Sequence, residues 1–423
     1  MKIKEYRDEK LGESVFCGKH SSGLEIRVAP KAGYDSAYAL FAVKYGSIDN
    51  YLGKENGKYV KIPEGTAHFL EHKLFESEEL DAFELFAKTG AQANAYTSFE
   101  QTAYLFKGSE NIETSLGYLL DFVQKPYFTA ETVRKEQGII GQEIRMYQDL
   151  AEWVVMFNLL KCLYKEHPVR IDIAGTQESI AQIDDKLLYE IYDTYYNPSN
   201  MILSIAGNVD VDKIFDQVGK AIIRKKKAVP PRKFVPEPAK AVSKYIEQKL
   251  AIGKKQFLLG FKEDLKEPEI SMEAELASTA MLEALFGKSS PFFKKLLDDG
   301  LIEMDFGGQI FNGFGYSTVM IGGASDEPEK VSKLIKDEIK KAKKNGIDEA
   351  AFERAKRKLY GRSVMSYNDI DDIANGQISL YFNGYKPFAE LDAIRKLNVK
   401  KANERLAKLT ETGSALSVIL PVE

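Results

Sequence analysis

Two histidines and a glutamate lie within five consecutive residues, His68-Phe69-Leu70-Glu71-His72. The chain has only four histidines, so a pair at this spacing is informative. On a helix, residues four positions apart share a face, and both imidazoles can then face one metal ion. Imidazole nitrogens are common zinc ligands, and a neighbouring carboxylate can exchange protons with water at the ion. This H-x-x-E-H order therefore predicts a metal site with hydrolytic chemistry.

A catalytic zinc needs a third protein ligand, and residues 129–150 can supply it from a predicted helix. Glu136 and Glu143 are seven residues apart there, so two helical turns place them on nearly the same face. Helical glutamates are usually solvent-exposed, and it is the histidine pair that favours a ligand role. Gly138 and Gly141 between them would each cost about 1 kcal/mol relative to Ala. Close approach of a neighbouring helix is one reason for such glycines.

These residues resemble the pitrilysin/insulinase family of zinc peptidases, which includes the mitochondrial processing peptidases and their bacterial relatives. In that family, H-x-x-E-H is followed by a helix with two glutamates seven residues apart, and the 71 residues from His72 to Glu143 fit the pattern. The resemblance implies that His68, His72 and Glu143 bind Zn2+. It also implies that Glu71 is the general base and that Glu136 supports the catalytic site.

Further motifs extend the resemblance over most of the first half of the chain. They are Asn94-Ala95-Tyr96-Thr97-Ser98 with Thr102-Ala103-Tyr104, His167-Pro168 with 175–180, and Asn197-Pro198-Ser199-Asn200-Met201. In the family, a strand edge beside the metal pairs with the substrate, which implies substrate binding at Asn94, Ala95 and Tyr96. We expect His167 to be structural rather than a ligand.

Composition limits the class of protein. A chain of 423 residues with 44% hydrophobic and 29% charged residues is typical of a soluble globular protein with two or three domains. A net charge of −4 and a pI near 5.9 favour neither nucleic acid nor an acidic membrane as partner. The sequence has no apolar run of membrane-spanning length and no secretory signal pattern. Cys17 and Cys162 are too few for a disulfide framework, so we expect a cytoplasmic protein.

The clearest boundary is the segment 224–241, which is rich in proline and basic residues. We predict an N-terminal metal-binding domain at 1–223, an extended linker at 224–241, and a C-terminal domain at 242–423. The last range contains no histidine and so does not repeat the metal site. Similar element patterns in the two halves predict two related α+β domains, each an antiparallel sheet with helices packed on one face. The resemblance implies that the domains face each other across a cleft.

The chain departs from the family in its second half. The family usually has an Arg and a Tyr, seven residues apart, which bind substrate in the second domain. Leu297 and Met304 take these places here, and no Arg or Tyr occurs from Pro291 to Gly315. In split pairs of the family, one subunit carries the zinc and a homologous metal-free partner carries the Arg and Tyr.

We therefore predict a zinc metalloendopeptidase for extended peptides or unfolded proteins, as the zinc-bearing subunit of a heterodimer. The alternatives are a self-sufficient homodimeric peptidase and a largely inactive peptide-binding or scaffold subunit. A structural zinc site is a third alternative, although three ligands beside a free carboxylate favour catalysis over a closed four-ligand site.

Overall fold

The computed structural model describes residues 1–54, 57–78 and 81–422, in which strands and helices alternate. The first half contains, in order, β1 (Ile3–Asp8), β2 (Glu13–Lys19), β3 (Glu25–Pro30), β4 (Ala37–Val43), β5 (Tyr51–Gly53), β6 (Tyr59–Lys61), α1 (Thr66–Leu74), α2 (Ala82–Thr89), β7 (Gln92–Thr97), β8 (Thr102–Gly108), α3 (Ile112–Gln124), α4 (Ala130–Gln148), α5 (Ala151–Leu163), α6 (Gln177–Ile180), α7 (Asp185–Tyr195), β9 (Met201–Gly207) and α8 (Val211–Ala221).

The second half again combines strands and helices. It contains β10 (Tyr245–Leu250), β11 (Gln256–Lys262), α9 (Met272–Phe286), α10 (Pro291–Asp298), β12 (Gly307–Gly313), β13 (Tyr316–Ala324), α11 (Pro328–Asn345), α12 (Glu349–Met365), α13 (Ile370–Phe382), α14 (Ala389–Lys396), α15 (Val399–Ala407) and β14 (Ser414–Pro421). None of the helices in the described ranges is long and apolar enough to span a bilayer.

The two larger sheets have corresponding strand orders. The first is β1-β2-β3-β9-β4-β8-β7 and the second is β10-β14-β11-β13-β12. In both, the last strand of the half lies between two earlier strands, parallel to one neighbour (β3 or β10) and antiparallel to the other (β4 or β11). The predicted α+β class is confirmed. The sheets are antiparallel as predicted except for one parallel pair in each, because the returning strand enters after helical connections and so can run parallel to a neighbour.

The chain forms two compact units, and each unit contains segments from both halves. The first comprises 1–142, 172–233 and 364–389, and the second comprises 143–171, 234–363 and 390–423. Within the first unit α13 packs against β4 and β9, and within the second α5 packs against β11 and β14. The predicted domains at 1–223 and 242–423 follow chain order and correspond to the two halves of the chain. That division stays a prediction.

Helices cover both faces of the first sheet. Arg27 of β3 donates to Gln377 of α13, whereas a Cβ placed on Gly18 would lie 2.6 Å from the ring of Phe215 in α8. Gly18 pairs with Ile26, and Ile26 and Arg27 point to opposite faces because side chains alternate along a strand. The prediction of helices on one face is therefore wrong, because the segment exchanged from the second half covers the other face.

The predicted linker has neither helix nor strand, but its side chains are engaged within each unit. In the first unit, the guanidinium of Arg232 makes two bonds to the carboxylate of Asp49, at 2.6 and 2.8 Å. In the second unit, the carboxylate of Glu237 accepts the backbone N–H groups of Lys165 and His167 at 2.6 and 2.9 Å. Paired charges and backbone bonds of this kind hold an extended segment that has no hydrogen-bond ladder of its own.

Candidate metal centre

From the sequence, Pro63 is predicted to be the first residue of the helix that carries the histidine pair, because proline is favoured at that position. The observed helix, α1, begins at Thr66. Gly65 ahead of it has φ 85°, a left-handed conformation that breaks the helix and favours glycine. A Cβ on Gly65 would lie 2.4 Å from the carbonyl oxygen of Ala174. A Cβ on Gly175, which has φ 76°, would lie 2.5 Å from the carbonyl oxygen of Glu64. The motif at 175–180 therefore holds the start of the histidine helix through direct backbone contact.

The three predicted ligands converge. The rings of His68 and His72 have centroids 4.6 Å apart, and His68 is buried. The donor atoms of His68, His72 and Glu143 all lie within 4.8 Å of one another. Glu143 stands on α4, which is one continuous helix although the division between the compact units falls between residues 142 and 143.

This donor set fits zinc. Two imidazoles and one carboxylate are the protein ligands of a known class of catalytic zinc site, which keeps a further position open. Zinc–ligand bonds of about 2 Å allow one ion to contact three donors at this separation after small side-chain adjustments. Among the described histidine, cysteine, aspartate and glutamate residues, these three form the group whose donor atoms lie close enough together to hold one ion.

Glu136 contacts one of the histidines directly. Its Oε1 lies 2.9 Å from Nδ1 of His72, and the side chain of Glu136 is almost fully buried. A histidine that donates its Nδ1 proton to a carboxylate keeps the lone pair of Nε2 for a metal. The sequence predicted Glu136 as a support for the site, and the structure places it in contact with His72.

Glu71 lies outside the ligand group and has its own hydrogen-bond partner. The hydroxyl of Thr97 donates to Oε2 of Glu71 at 2.7 Å, and its oxygen is 3.3 Å from the hydroxyl oxygen of Thr102. Near this carboxylate, the hydroxyls of Tyr104 and Tyr196 lie 2.9 Å apart. Burial, with a smaller contribution from the Glu71 charge, raises the pKa of both phenols well above the ordinary value. Both therefore stay protonated beside Glu71 at neutral pH.

The strand predicted to bind substrate is β7, the last strand in the order of the first sheet. The N–H of Ala95 donates to Oδ1 of Asn94 at 2.8 Å, so it points away from β8 and towards the sheet edge. The hydroxyl of Tyr96 donates to Oδ1 of Asn375 in α13 at 2.8 Å. The backbone of Ala95 therefore faces the edge, whereas the side chain of Tyr96 is engaged with a helix.

Two residues that contact the candidate site were not predicted. They are Thr97, which bonds Glu71, and Tyr147, whose hydroxyl donates to Oε1 of Glu143 at 2.8 Å. The spacing of Tyr147 could have indicated its contact, because residues four apart on a helix are neighbours. The family resemblance places the strand of Thr97 beside the metal, but no sequence pattern pairs Thr97 with Glu71, since they lie on a strand and a helix that meet only in the fold.

His167 contacts backbone groups through both ring nitrogens. Its Nδ1 accepts the N–H of Val169 at 3.1 Å, and its Nε2 lies 3.0 Å from the carbonyl oxygen of Phe314. The ring is buried and does not belong to the group of potential metal ligands. These contacts are those expected of a structural histidine.

A Cβ on Gly138 or Gly141 would meet no atom within 4 Å, so steric exclusion by a neighbouring helix does not explain why these two positions are glycine. Leu297 packs against the core of the second unit, and Met304 is 54% exposed. Both side chains lack the hydrogen-bond donors that an Arg and a Tyr would offer.

The fold and the convergence of His68, His72 and Glu143 are typical of a metallopeptidase of the H-x-x-E-H class. The family described as insulinase (peptidase family M16) matches residues 60–177, and the peptidase M16 inactive domain matches residues 182–359. The chain belongs to this insulinase, or M16, peptidase family. The predicted resemblance is thus confirmed, and so is the Zn2+ cofactor, because the family is zinc-dependent.

Some relatives match over most or all of the chain, and others match over less than half of it. The chain is 43% identical to an uncharacterized zinc protease, YmfH, of Bacillus subtilis over 88% of both chains. It matches the crystal structure of an M16-like peptidase from Alicyclobacillus acidocaldarius with a TM-score of 0.92 and 34% identity, covering 100% of this chain and 99% of that one. It is also 30% identical to a probable mitochondrial-processing peptidase subunit beta of Arabidopsis thaliana, over 46% of this chain and 36% of that protein.

Proposed function

We propose that the protein is a zinc metalloendopeptidase whose metal is held by His68, His72 and Glu143. The observation that carries this proposal is the convergence of their donor atoms within 4.8 Å, and the buried Glu71 precedes His72 in the chain. When bound, zinc supplies a Lewis acid that polarises a carbonyl group and lowers the pKa of water. The names of the relatives, which include zinc proteases, support the same activity.

The residues around the ligands have separate tasks in this proposal. Glu71 takes a proton from the attacking water and delivers it to the leaving amine. The bond from Thr97 engages Oε2 of Glu71, so Oε1 is the oxygen available for this proton. Glu136 holds His72 with Nε2 directed to the ligand group.

The substrate in this proposal is an extended segment of a peptide or unfolded protein. Such a segment adds to the β7 edge as a further strand, and the N–H of Ala95 bonds its backbone after release from Asn94. Main-chain pairing needs several consecutive residues in extended form, which folded substrates rarely expose. Tyr96 contributes indirectly, by anchoring the strand to α13.

We further propose that the active form is a heterodimer in which a homologous metal-free chain supplies an Arg and a Tyr. The support is the apolar character of Leu297 and Met304 at the corresponding positions. The match to a protein whose name includes "subunit beta" agrees with a multi-subunit peptidase. A self-sufficient homodimer and an inactive scaffold are the competing states. A cytoplasmic location is proposed on the two free cysteines, Cys17 and Cys162.

The test is Glu71→Gln, with zinc content and peptide hydrolysis measured on the same samples. We expect the variant to keep its zinc and lose hydrolysis, because glutamine does not accept the proton. Glu84→Gln, at an exposed position of α2, is the matched control and should change neither. Hydrolysis by Glu71→Gln at the wild-type rate contradicts the base role, and a wild-type chain that binds no zinc contradicts the whole proposal.

The partner is tested by measuring hydrolysis with and without a homologous chain that lacks the histidine pair. The heterodimer predicts a large gain on mixing. Full activity of the isolated chain contradicts it and favours the homodimer. Zinc binding without hydrolysis under either condition favours the scaffold.

A further inference from the structure

Tyr147 and Trp153 form a stacked pair next to a proposed zinc ligand. Their ring centroids are 4.7 Å apart with an interplanar angle of 18°, and Trp153 also contacts the ring of Phe157 at 5.1 Å. The hydroxyl of Tyr147 donates to Oε1 of Glu143 at 2.8 Å. A continuous series of contacts therefore joins α5 to the carboxylate on α4.

The chain geometry between α4 and α5 produces this stacking. The N–H of Leu150 bonds the carbonyl oxygen of Tyr147 at 3.1 Å, and α5 begins at the next residue, Ala151. This tight reversal places the side chain at the end of α4 against the first turn of α5. Stacking of two large flat rings restricts the side-chain rotation of Tyr147, and so the direction in which its hydroxyl points.

We propose that Tyr147 is a positioning residue for Glu143 and that Trp153 holds the Tyr147 ring in the orientation this requires. The inference rests on the proposed zinc site. A carboxylate has two equivalent oxygens and rotates readily, and a hydrogen bond from a fixed hydroxyl to Oε1 makes the oxygens inequivalent and limits this rotation. Glu136 does the same for His72. Two of the three proposed ligands are thus each oriented by a neighbour.

The direct test is the zinc affinity of Tyr147→Phe, measured by competition with a chromogenic chelator. This variant keeps the stacked ring and removes only the hydroxyl. We expect binding about 10-fold weaker than wild type, at the lower end of the effect of losing a group that orients a metal ligand. Tyr118→Phe on α3 removes a hydroxyl outside this series of contacts and should bind zinc as the wild type does. Trp153→Leu should weaken binding, and Trp153→Phe should restore most of the affinity.

A second readout is independent of enzyme activity. Trp153 is the only tryptophan of the chain, so its fluorescence reports on the stacked pair alone. We expect the emission of the metal-free wild type to change as zinc is added, and this change to shrink in Tyr147→Phe.

The failure of this inference is distinguishable from failure of the proposed function. If the wild type binds zinc and Tyr147→Phe binds it within about twofold of the same affinity, the positioning role is wrong and the zinc site stands. If the wild type binds no zinc, the proposed function fails, and the positioning role fails with it.

Discussion

The backbone contact at Gly65 leads to a prediction with a matched control in the same chain. Replacing Gly65 with Ala places a Cβ 2.4 Å from the carbonyl oxygen of Ala174, at a φ of 85°. Gly12 has a similar φ of 72°, but a Cβ there meets no atom within 4 Å. Gly12→Ala therefore measures the cost of the left-handed conformation alone, and Gly65→Ala measures that cost plus the overlap with backbone.

The expected magnitudes differ accordingly. The left-handed conformation costs an alanine about 1–2 kcal/mol, which is the whole effect expected at Gly12. At Gly65 the neighbour is backbone, which has no side-chain rotation to relieve the overlap, and overpacking adds about 1–3 kcal/mol. We therefore expect Gly65→Ala to lower the free energy of unfolding by about 2–5 kcal/mol.

The assay is denaturant unfolding of both variants, together with zinc affinity. Gly65 precedes α1, so relief of the overlap should displace the helix that carries His68 and His72. Gly65→Ala should therefore bind zinc more weakly, whereas Gly12→Ala should bind it as the wild type does. Equal stability and equal zinc affinity in the two variants would refute the idea that the contact with Ala174 positions the histidine helix.

The other predictions concern the residues around the ligands and the thiols. Glu136→Gln should weaken zinc binding by about 10–100-fold in a chelator competition, because it no longer holds the Nδ1 proton of His72 as strongly, while Glu131→Gln on the same helix should not. An equal effect of both glutamate variants would indicate general destabilisation of α4. Thr97→Val should lower kcat by about 10-fold with zinc content unchanged, since it removes one hydrogen bond to a charged group, and Thr97→Ser should restore it. Loss of zinc from Thr97→Val would argue against this separation of roles. Burial raises the pKa of the Cys17 thiol to about 11 and that of the Cys162 thiol in the same direction, so less thiolate is present at pH 8 than in the unfolded chain. Both thiols should react slowly with a maleimide at pH 8 until denaturant is added, and rapid labelling of the folded protein would contradict the burial of Cys162 and the partial burial of Cys17.

The ligand group could be predicted because its information is local. His68 and His72 share a helix face, and Glu136 and Glu143 share another, so helical spacing makes each pair a candidate, and the family resemblance implies that Glu143 is the third ligand. Only the family resemblance implied that these two helices lie close together in the fold. A contact between residues on different helices or strands leaves no local pattern in the sequence. The clearest example is the bond from Thr97 to Glu71, which joins the end of a strand to a helix.

The topology was less predictable for a related reason. Periodicity can indicate a helix such as α5, but it does not say which sheet that helix covers, and no helix was predicted at α13. That α13 belongs to the first unit depends on contacts such as Arg27 with Gln377, which are 350 residues apart in the chain. The start of α1 was misplaced because a proline is a recognised first helical residue, whereas the positive φ of Gly65 is set by its contact with Ala174.

The most direct test of the proposed zinc site is anomalous diffraction at the zinc edge from crystals of the zinc-loaded protein. The proposal predicts one peak at about 2.0–2.2 Å from a ring nitrogen of each of His68 and His72 and from a carboxylate oxygen of Glu143. It also predicts that the remaining coordination position is occupied by solvent, with Glu71 beside it. A peak elsewhere, or a fourth protein side chain that closes the coordination sphere, would contradict a catalytic zinc at this site.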